Sequence, residues 1–300
     1  MNNANRDCLT SNFKPLLASE ADLSRLIFPV IASAKLDGVR AIVKNGVVLS
    51  RTMKPIPNEG IQLAFDHLEH FDGELIFGDP TSPTCYRDTV SSVMSKYKDW
   101  ANVYFYAFDH TEHPDRDYVS RFQTLTADAR RFHDTANLKL LPQHHIMYLR
   151  SLLAFEQQKL DEGFEGVMLR QPHSPYKFGR STTKEGILLK LKRWKDAEFT
   201  VVGFEERMEN TNEKTMNELG YSERSSHMEN KVPRGDLGAL VLQFDESTFN
   251  CGTGFTDEER SEIWNNKVKH LGQRAKVKFF AIGNYDLPRH PVFLGWRKGD

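Results

Sequence analysis

The hexapeptide KLDGVR, residues 35–40, places an amine, a carboxylate and a guanidinium on one short turn. The stretch SRTMKPIPN follows it and adds Arg51 and Lys54. Two carboxylates stand apart from this group, Glu74 in FDGEL and Glu165 in FEGVMLR, and LLKLK adds Lys190 and Lys192. A lysine amine can act as a nucleophile, and cations gathered at one site call for something anionic beside them. A lysine amine is a poor nucleophile while protonated, with an ordinary pKa of ~10.4. Neighbouring cations and removal from water favour the neutral form. Each piece also has a plainer reading: Lys-x-Asp-Gly is a common surface turn, and Glu74 alone is a strand-edge charge.

The local elements decide whether the pieces can meet. Residues 39–50 read VRAIVKNGVVLS, two β-branched runs joined by Asn45-Gly46. This is a strong hairpin signal, because a type I′ turn needs positive φ at both central residues. Lys35 then lies in the loop feeding the hairpin, with Arg40 on its first strand and Arg51 just past its second. Helical spacing is predicted over 58–71 (Ile61, Phe65, Leu68), 118–132 (Phe122, Leu125, Ala129) and 152–160. Strands are predicted at FDGELIFG, VYFYAFD, GFEGVMLRQP and GILLKLKRW. In the last of these, alternation sends Lys190 and Lys192 to one face and Leu189 and Leu191 to the other. Ammonium groups on a half-buried sheet face are costly unless something anionic lies there.

Past Trp194 the pattern changes to short strands, EFTVVGFEE, GALVLQFD, FNCGTGF and RAKVKFFAIG, with one helix over 256–269. A Thr256-x-x-Glu259 capping box opens that helix. This order suits a small oligonucleotide-binding (OB) β-barrel, so a boundary is placed at residues 193–196. Residues 207–236 are a polar stretch, too long for an idle loop within a barrel. They carry five basic and six acidic side chains, so a purely electrostatic role is not supported.

Composition narrows the class. Hydrophobic residues are 39% and charged ones 27%, as in a globular protein. The net charge of −1 argues against a surface that grips nucleic acid everywhere, so any such footprint is a local patch. KLKRWK (190–195) and RAKVKF (274–279) are the candidates. No apolar run approaches the ~20 residues of a membrane span, and residues 1–12 lack the apolar core of a secretion signal. Cys8, Cys85 and Cys251 lie far apart, without metal-ligand spacing, which points to an intracellular setting and no structural zinc.

KLDGVR, SRTMKPIPN, FDGEL, FEGVMLR and LLKLK fall in the order and approximate spacing of the covalent nucleotidyltransferases. The chain from FKPLLAS to RHPVFLGWR resembles the minimal ATP-dependent DNA ligases of the chlorella-virus type, with KFGRSTTKEGILLK and GTGF especially close. The resemblance implies an α+β protein. A nucleotidyltransferase (ATP-grasp-like) domain of antiparallel sheets and flanking helices, at 13–194, precedes an OB-fold β-barrel at 195–300. Residues 1–12 form a polar extension, and 207–236 match the family's DNA-clamping latch. The implied activity is sealing of 5′-phosphate, 3′-hydroxyl nicks in duplex DNA through a lysyl-AMP, with ATP as AMP donor and the protein acting as a monomer.

The resemblance makes Lys35 the nucleophile and gives Asp37 a part in the chemistry at the nick. Lys190 and Lys192 go to the α-phosphate, and Arg40 and Arg51 to the nucleotide or the nick 5′-phosphate. Glu74 goes to the ribose or a metal, Glu165 to a metal, and Phe108 to stacking on adenine. Arg180 and Lys184 are nucleotide- or DNA-contacting positions, Lys54 a DNA-contacting one, and Arg289 and Arg297 close over ATP. Two carboxylates facing a triphosphate repel it, so Mg²⁺ (or Mn²⁺) between them is expected at Glu74 and Glu165. Ala34 stands where the chlorella-virus pattern has proline, and the acidic tail of the terminal motif is shortened to Asp300. Within the same superfamily, an mRNA-capping guanylyltransferase and an RNA ligase are the enzymatic alternatives. A nick-binding module with a degenerate site is the non-enzymatic one.

Overall fold

The computed structural model describes residues 13–132, 134–135, 137–211, 214–216, 222–224, 231–282 and 287–297. Residues 1–12, much of 207–236, and the C-terminal residues 298–300 lie outside the described residues. The chain forms two compact units, Met1–Arg193 and Trp194–Asp300.

The first unit carries two five-stranded sheets. Its strands are β1 (Ser19–Glu20), β2 (Val30–Ala34), β3 (Val39–Lys44), β4 (Val47–Ser50), β5 (Phe71–Phe77), β6 (Val103–His110), β7 (Leu138–Leu140), β8 (His144–Ile146), β9 (Val167–Arg170) and β10 (Leu188–Leu191). One sheet has the order β4-β3-β5-β6-β7, the other β1-β10-β9-β2-β8. Pairing is antiparallel except at β6–β7 and β1–β10. Asn45 (φ 54°) and Gly46 (φ 67°) make the hairpin turn as the sequence predicts. The unit's helices are α1 (Glu59–Phe65), α2 (Cys85–Val93), α3 (Tyr118–Arg131) and α4 (Leu149–Asp161).

Sequence and structure differ at two helices here. The predicted 58–71 segment is helical only to Phe65, after which the chain turns at Leu68 and His70 (φ 70°) into β5. Phe65, Leu68 and Phe71 are all fully buried, so the apolar spacing follows the core rather than a continuing helix. Helix α2 is absent from the sequence reading because it packs Cys85, Thr89, Ser92 and Val93 inward. A face of mostly small and polar side chains leaves little apolar period to read.

The second unit is a five-stranded antiparallel sheet, order β15-β14-β11-β16-β17. Its strands are β11 (Lys195–Asn210), β14 (Lys231–Phe244), β15 (Ser247–Cys251), β16 (Arg274–Ile282) and β17 (Pro288–Trp296). A parallel bridge between Thr253 and Val292 joins the two edges and curls the sheet into a barrel. Val201, Leu237, Leu240, Leu242, Val277 and Phe293 fill it. The predicted 256–269 helix divides into α5 (Asp257–Asn265) and α6 (Lys267–His270). Asn266 leaves helical geometry and its side chain bonds back to the Glu262 carbonyl (3.0 Å), ending the first helix. The capping box at Thr256 forms as predicted. Strands β11 and β14 stay paired out to Asn210 and Lys231, and a two-stranded pair, β12 (Lys214–Met216) with β13 (Ser222–Arg224), lies between them in the chain. Apart from Thr211, the described parts of the 207–236 stretch are therefore strand. Among the described residues, no helix is long and apolar enough to cross a membrane.

Candidate active site

Lys35 sits just past the end of β2, where its amide donates to the Gly166 carbonyl (2.9 Å) and ties the turn to the start of β9. Both backbones meet closely at glycines. A Cβ on Gly38 would lie 2.2 Å from the Leu75 carbonyl oxygen, and one on Gly166 (φ 150°) 2.3 Å from that of Leu191. No larger residue fits either place without moving a strand. From beneath, the Cys85 thiol at the start of α2 donates to the Asp37 carbonyl (3.3 Å). That cysteine is buried, and burial pushes its pKa up to about 11, so it packs as a neutral thiol.

The Lys35 amine donates to Glu165 Oε2, while Lys192 Nζ donates to Glu165 Oε1 (3.1 Å). One carboxylate thus bridges two lysines that the sequence holds 157 positions apart (192 − 35). Burial acts to raise the Glu165 pKa, but Lys35 and Lys192 outweigh it and hold the carboxyl below its usual range. For Lys192, burial is the larger effect and lowers its pKa against the pull of Glu165. Lys190 points toward the same space from β10, paired with Glu20 (3.0 Å). Leu189 and Leu191 face the core as the alternation requires. Leu188 is buried too, so both faces of this strand are covered.

Lys35, Lys190 and Lys192 line a cavity of ≈ 280 Å³, which also takes in Arg40, Arg51, Glu74, Phe108 and Arg180. Arg40 forks onto Asp72 (2.6 and 2.7 Å), and its guanidinium lies 4.6 Å from the Phe108 ring centre. Burial acts against the Arg40 charge, but Asp72 outweighs it and the guanidinium stays protonated. Tyr176 donates to the same carboxylate (2.7 Å). Arg180 donates to the Ala18 carbonyl (2.6 Å). Glu74 behaves oppositely to Glu165. Burial is its dominant influence, only partly offset by Arg40 and Lys35, and its pKa rises to about 7.

Sequence reasoning passed over three groups here. Arg170 lines the cavity wall 5.3 Å from the Phe108 ring centre and is bound to Asp109 (2.7 Å). Asp109 also takes Arg121 (2.8 Å) and is fully buried. Glu20 carries the Lys190 ion pair. In sequence, Arg170 ends a buried strand and Asp109 ends another, so each looks like a strand terminus.

Not every predicted residue joins the cavity. Glu165 touches it through its two lysines. Asp37 does not line the cavity but is close enough to Glu74 to help raise its pKa. Lys54 is exposed, its carbonyl accepting from the Ser50 amide (2.8 Å), and Lys184 is exposed in the loop before β10. Arg289 lies on β17 and Arg297 just after it, both in the second unit.

Among the described residues, no group of three or more His, Cys, Asp or Glu is placed to hold a metal. Of the two carboxylates expected to serve a cation, Glu74 lines the cavity directly, while Glu165 has one oxygen on each of two lysines.

Residues 15–192 match the family described as ATP dependent DNA ligase domain, and residues 230–297 that described as DNA ligase OB-like domain. A DNA ligase of Haemophilus influenzae is 24% identical over 270 residues, 89% of this chain and 86% of its own. The crystal structure of Chlorella virus DNA ligase-adenylate is 33% identical, covers 95% of this chain and 99% of that one, and superposes with a TM-score of 0.55. A Lig E DNA ligase, described as binding DNA with a minimal scaffold, superposes with a TM-score of 0.72 at 23% identity, covering 95% and 99% of the two chains. At that identity it speaks for the fold.

Proposed function

This chain belongs to the ATP-dependent DNA ligases, and on that premise we propose that it seals 5′-phosphate, 3′-hydroxyl nicks in duplex DNA through Lys35. The observation that carries this reading is the Lys35 amine, held by Glu165 in a cavity lined by Lys190, Lys192, Arg40 and Arg180. In the first step Lys35 Nζ attacks the α-phosphorus of ATP. A P–N bond forms, the P–O bond to pyrophosphate breaks, and the amine gives up a proton. Pyrophosphate leaves with the electron pair. Glu165 already accepts a hydrogen bond from that amine, so it aligns the nucleophile and is the nearest seat for the proton.

Lys190 and Lys192 hold the α-phosphate as its charge grows. Both are point charges on flexible stems that follow a moving phosphate. Phe108 supplies the face on which adenine stacks, and Glu74, once ionised, accepts from the ribose. Mg²⁺ (or Mn²⁺), when bound, neutralises phosphate charge, with Glu74 and Glu165 as its carboxylates. The DNA 5′-phosphate then attacks the lysyl adenylate, breaking the P–N bond. Finally the 3′-hydroxyl attacks that phosphate and expels AMP, with Arg40 and Arg51 on the 5′-phosphate and Asp37 beside the reacting groups. Arg180, Lys184 and Lys54 serve the nucleotide or the DNA backbone, and Arg289 and Arg297 the ATP-bound state.

Incubation with α-labelled ATP or GTP, then with labelled nicked duplex, tests this directly. The expected result is an AMP adduct and sealed product, both lost in Lys35→Ala. A GMP adduct without an AMP adduct turns the assignment to a capping guanylyltransferase. Failure on DNA with sealing of RNA turns it to an RNA ligase.

Residues 207–236 act as the DNA-clamping latch, supported by the β11–β14 ribbon that continues to Asn210 and Lys231. Their deletion is expected to weaken nick binding far more than lysine adenylylation, and equal losses refute the role. The protein is read as working as a monomer, as the family resemblance implies. Sealing per molecule that rises with protein concentration would contradict this.

A further inference from the structure

The cations of the cavity differ in what they are bound to. Lys35 and Lys192 share Glu165, whose side chain is 16% exposed, and Arg40 is locked on Asp72, which is fully buried. Lys190 is paired instead with Glu20, whose side chain is 54% exposed against 25% for the lysine. Glu20 does not line the cavity. It sits on the two-residue strand β1, directly beside Lys190 in the parallel register. The backbone around it is fixed on both sides: the Ala21 amide donates to the Lys190 carbonyl (2.9 Å), and Thr183 Oγ1 donates to the Glu20 carbonyl (3.1 Å). Only the carboxylate is free to swing toward solvent. A single-point lysine pair at a half-open site exchanges readily, because water competes for both partners.

We propose that Glu20 is an internal stand-in for phosphate: its carboxylate neutralises Lys190 before the nucleotide binds and yields that ammonium to a phosphate group of the nucleotide when ATP enters. This rests on the reading of the cavity as the nucleotide site. ATP then gains Lys190 by exchange rather than by simple addition, and Glu20 sets the affinity for phosphate from outside the cavity. The same pairing damps, without abolishing, the repulsion of Lys192 by Lys190 before the nucleotide binds. Lys190 already acts on Lys192 in that sense, lowering its pKa as a minor contribution behind burial.

The test measures KM for ATP in lysine adenylylation, and direct binding of pyrophosphate by calorimetry, on the full chain. Glu20→Gln keeps the shape and removes the charge. The expected result is a KM for ATP lower by roughly two- to five-fold, the scale of an exposed ion pair, with pyrophosphate binding tightened to match. The gain narrows as salt is raised, and it disappears in a Lys190→Gln background. Glu20→Asp, with its charge kept on a shorter stem, falls between the two. An unchanged or higher KM in Glu20→Gln, or a gain that persists without Lys190, overturns the proposal. If Lys190→Gln alone leaves both KM and pyrophosphate binding unchanged, the fault lies in reading this cavity as the phosphate site.

Discussion

Two sets of ion pairs stand a few residues apart in the first unit and behave as different materials. At the front, Lys35 and Lys192 meet Glu165 and Lys190 meets Glu20, through single ammonium contacts that remain partly open to water. Behind Phe108, Arg40 forks onto Asp72, while Arg121 and Arg170 converge on Asp109, and both aspartates are fully buried. Asp72 and Asp109 face each other across β5 and β6. A planar guanidinium with two parallel bonds fixes direction as well as charge, whereas an ammonium fixes only charge. The rear lattice is therefore frame, holding Phe108 and Arg40 in place. The front pairs are exchangeable, which a site that admits and releases phosphates requires.

Removing a rear carboxylate is the most damaging way to test the contrast. Asp109→Ala leaves Arg121 and Arg170 buried without a counter-charge, a change that costs about 3–5 kcal/mol. A thermal unfolding scan should show a fall in Tm of roughly ten degrees, and an unchanged Tm would mean the lattice is not structural. The front should respond in the reverse manner. Glu165→Gln is expected to lower Tm far less than Asp109→Ala does, while lysine adenylylation drops by about 10²–10⁴-fold, the range of a lost proton-handling group. A variant that loses Tm and rate together would erase the distinction between the two sets.

The subtlest test uses pH. Glu74 has its pKa raised to about 7, so below that pH it carries a proton and cannot accept from the ribose or serve a cation. In wild type, kcat/KM for adenylylation should climb with pH up to about 7 and level off above it, since this ratio reports the free enzyme. In Glu74→Gln that step should vanish and leave a lower, flatter profile. The same shift has an opposite sign for stability. The folded state keeps a proton that the unfolded chain releases near its ordinary value of 4.5, so Glu74 costs stability as pH rises from there to about 7. Glu165, with its pKa lowered, stabilises above the ordinary carboxylate value and loses that contribution as pH falls through its folded pKa.

Legibility in the sequence followed the range of the interaction. The Asn45-Gly46 hairpin, the Thr256 capping box and the β10 alternation rest on contacts within a few residues, and each formed as read. Helix α2 escaped because its inward face is small and polar, and the 58–71 helix ran long because Leu68 and Phe71 bury themselves in a turn and a strand.

The sequence by itself determined the chemistry available: which amines, carboxylates and guanidiniums exist, and which local element carries each. Tertiary structure alone decided the partners. Arg40 chose Asp72 across 32 positions, Arg170 chose Asp109 across 61, Lys35 chose Glu165 across 130, and Lys190 took Glu20 from the far end of the domain. Charge has no periodicity that marks its counter-charge, so partners are set only once strand register brings them within reach. The same register sets burial, and burial is what drives Glu74 up while two lysines draw Glu165 down.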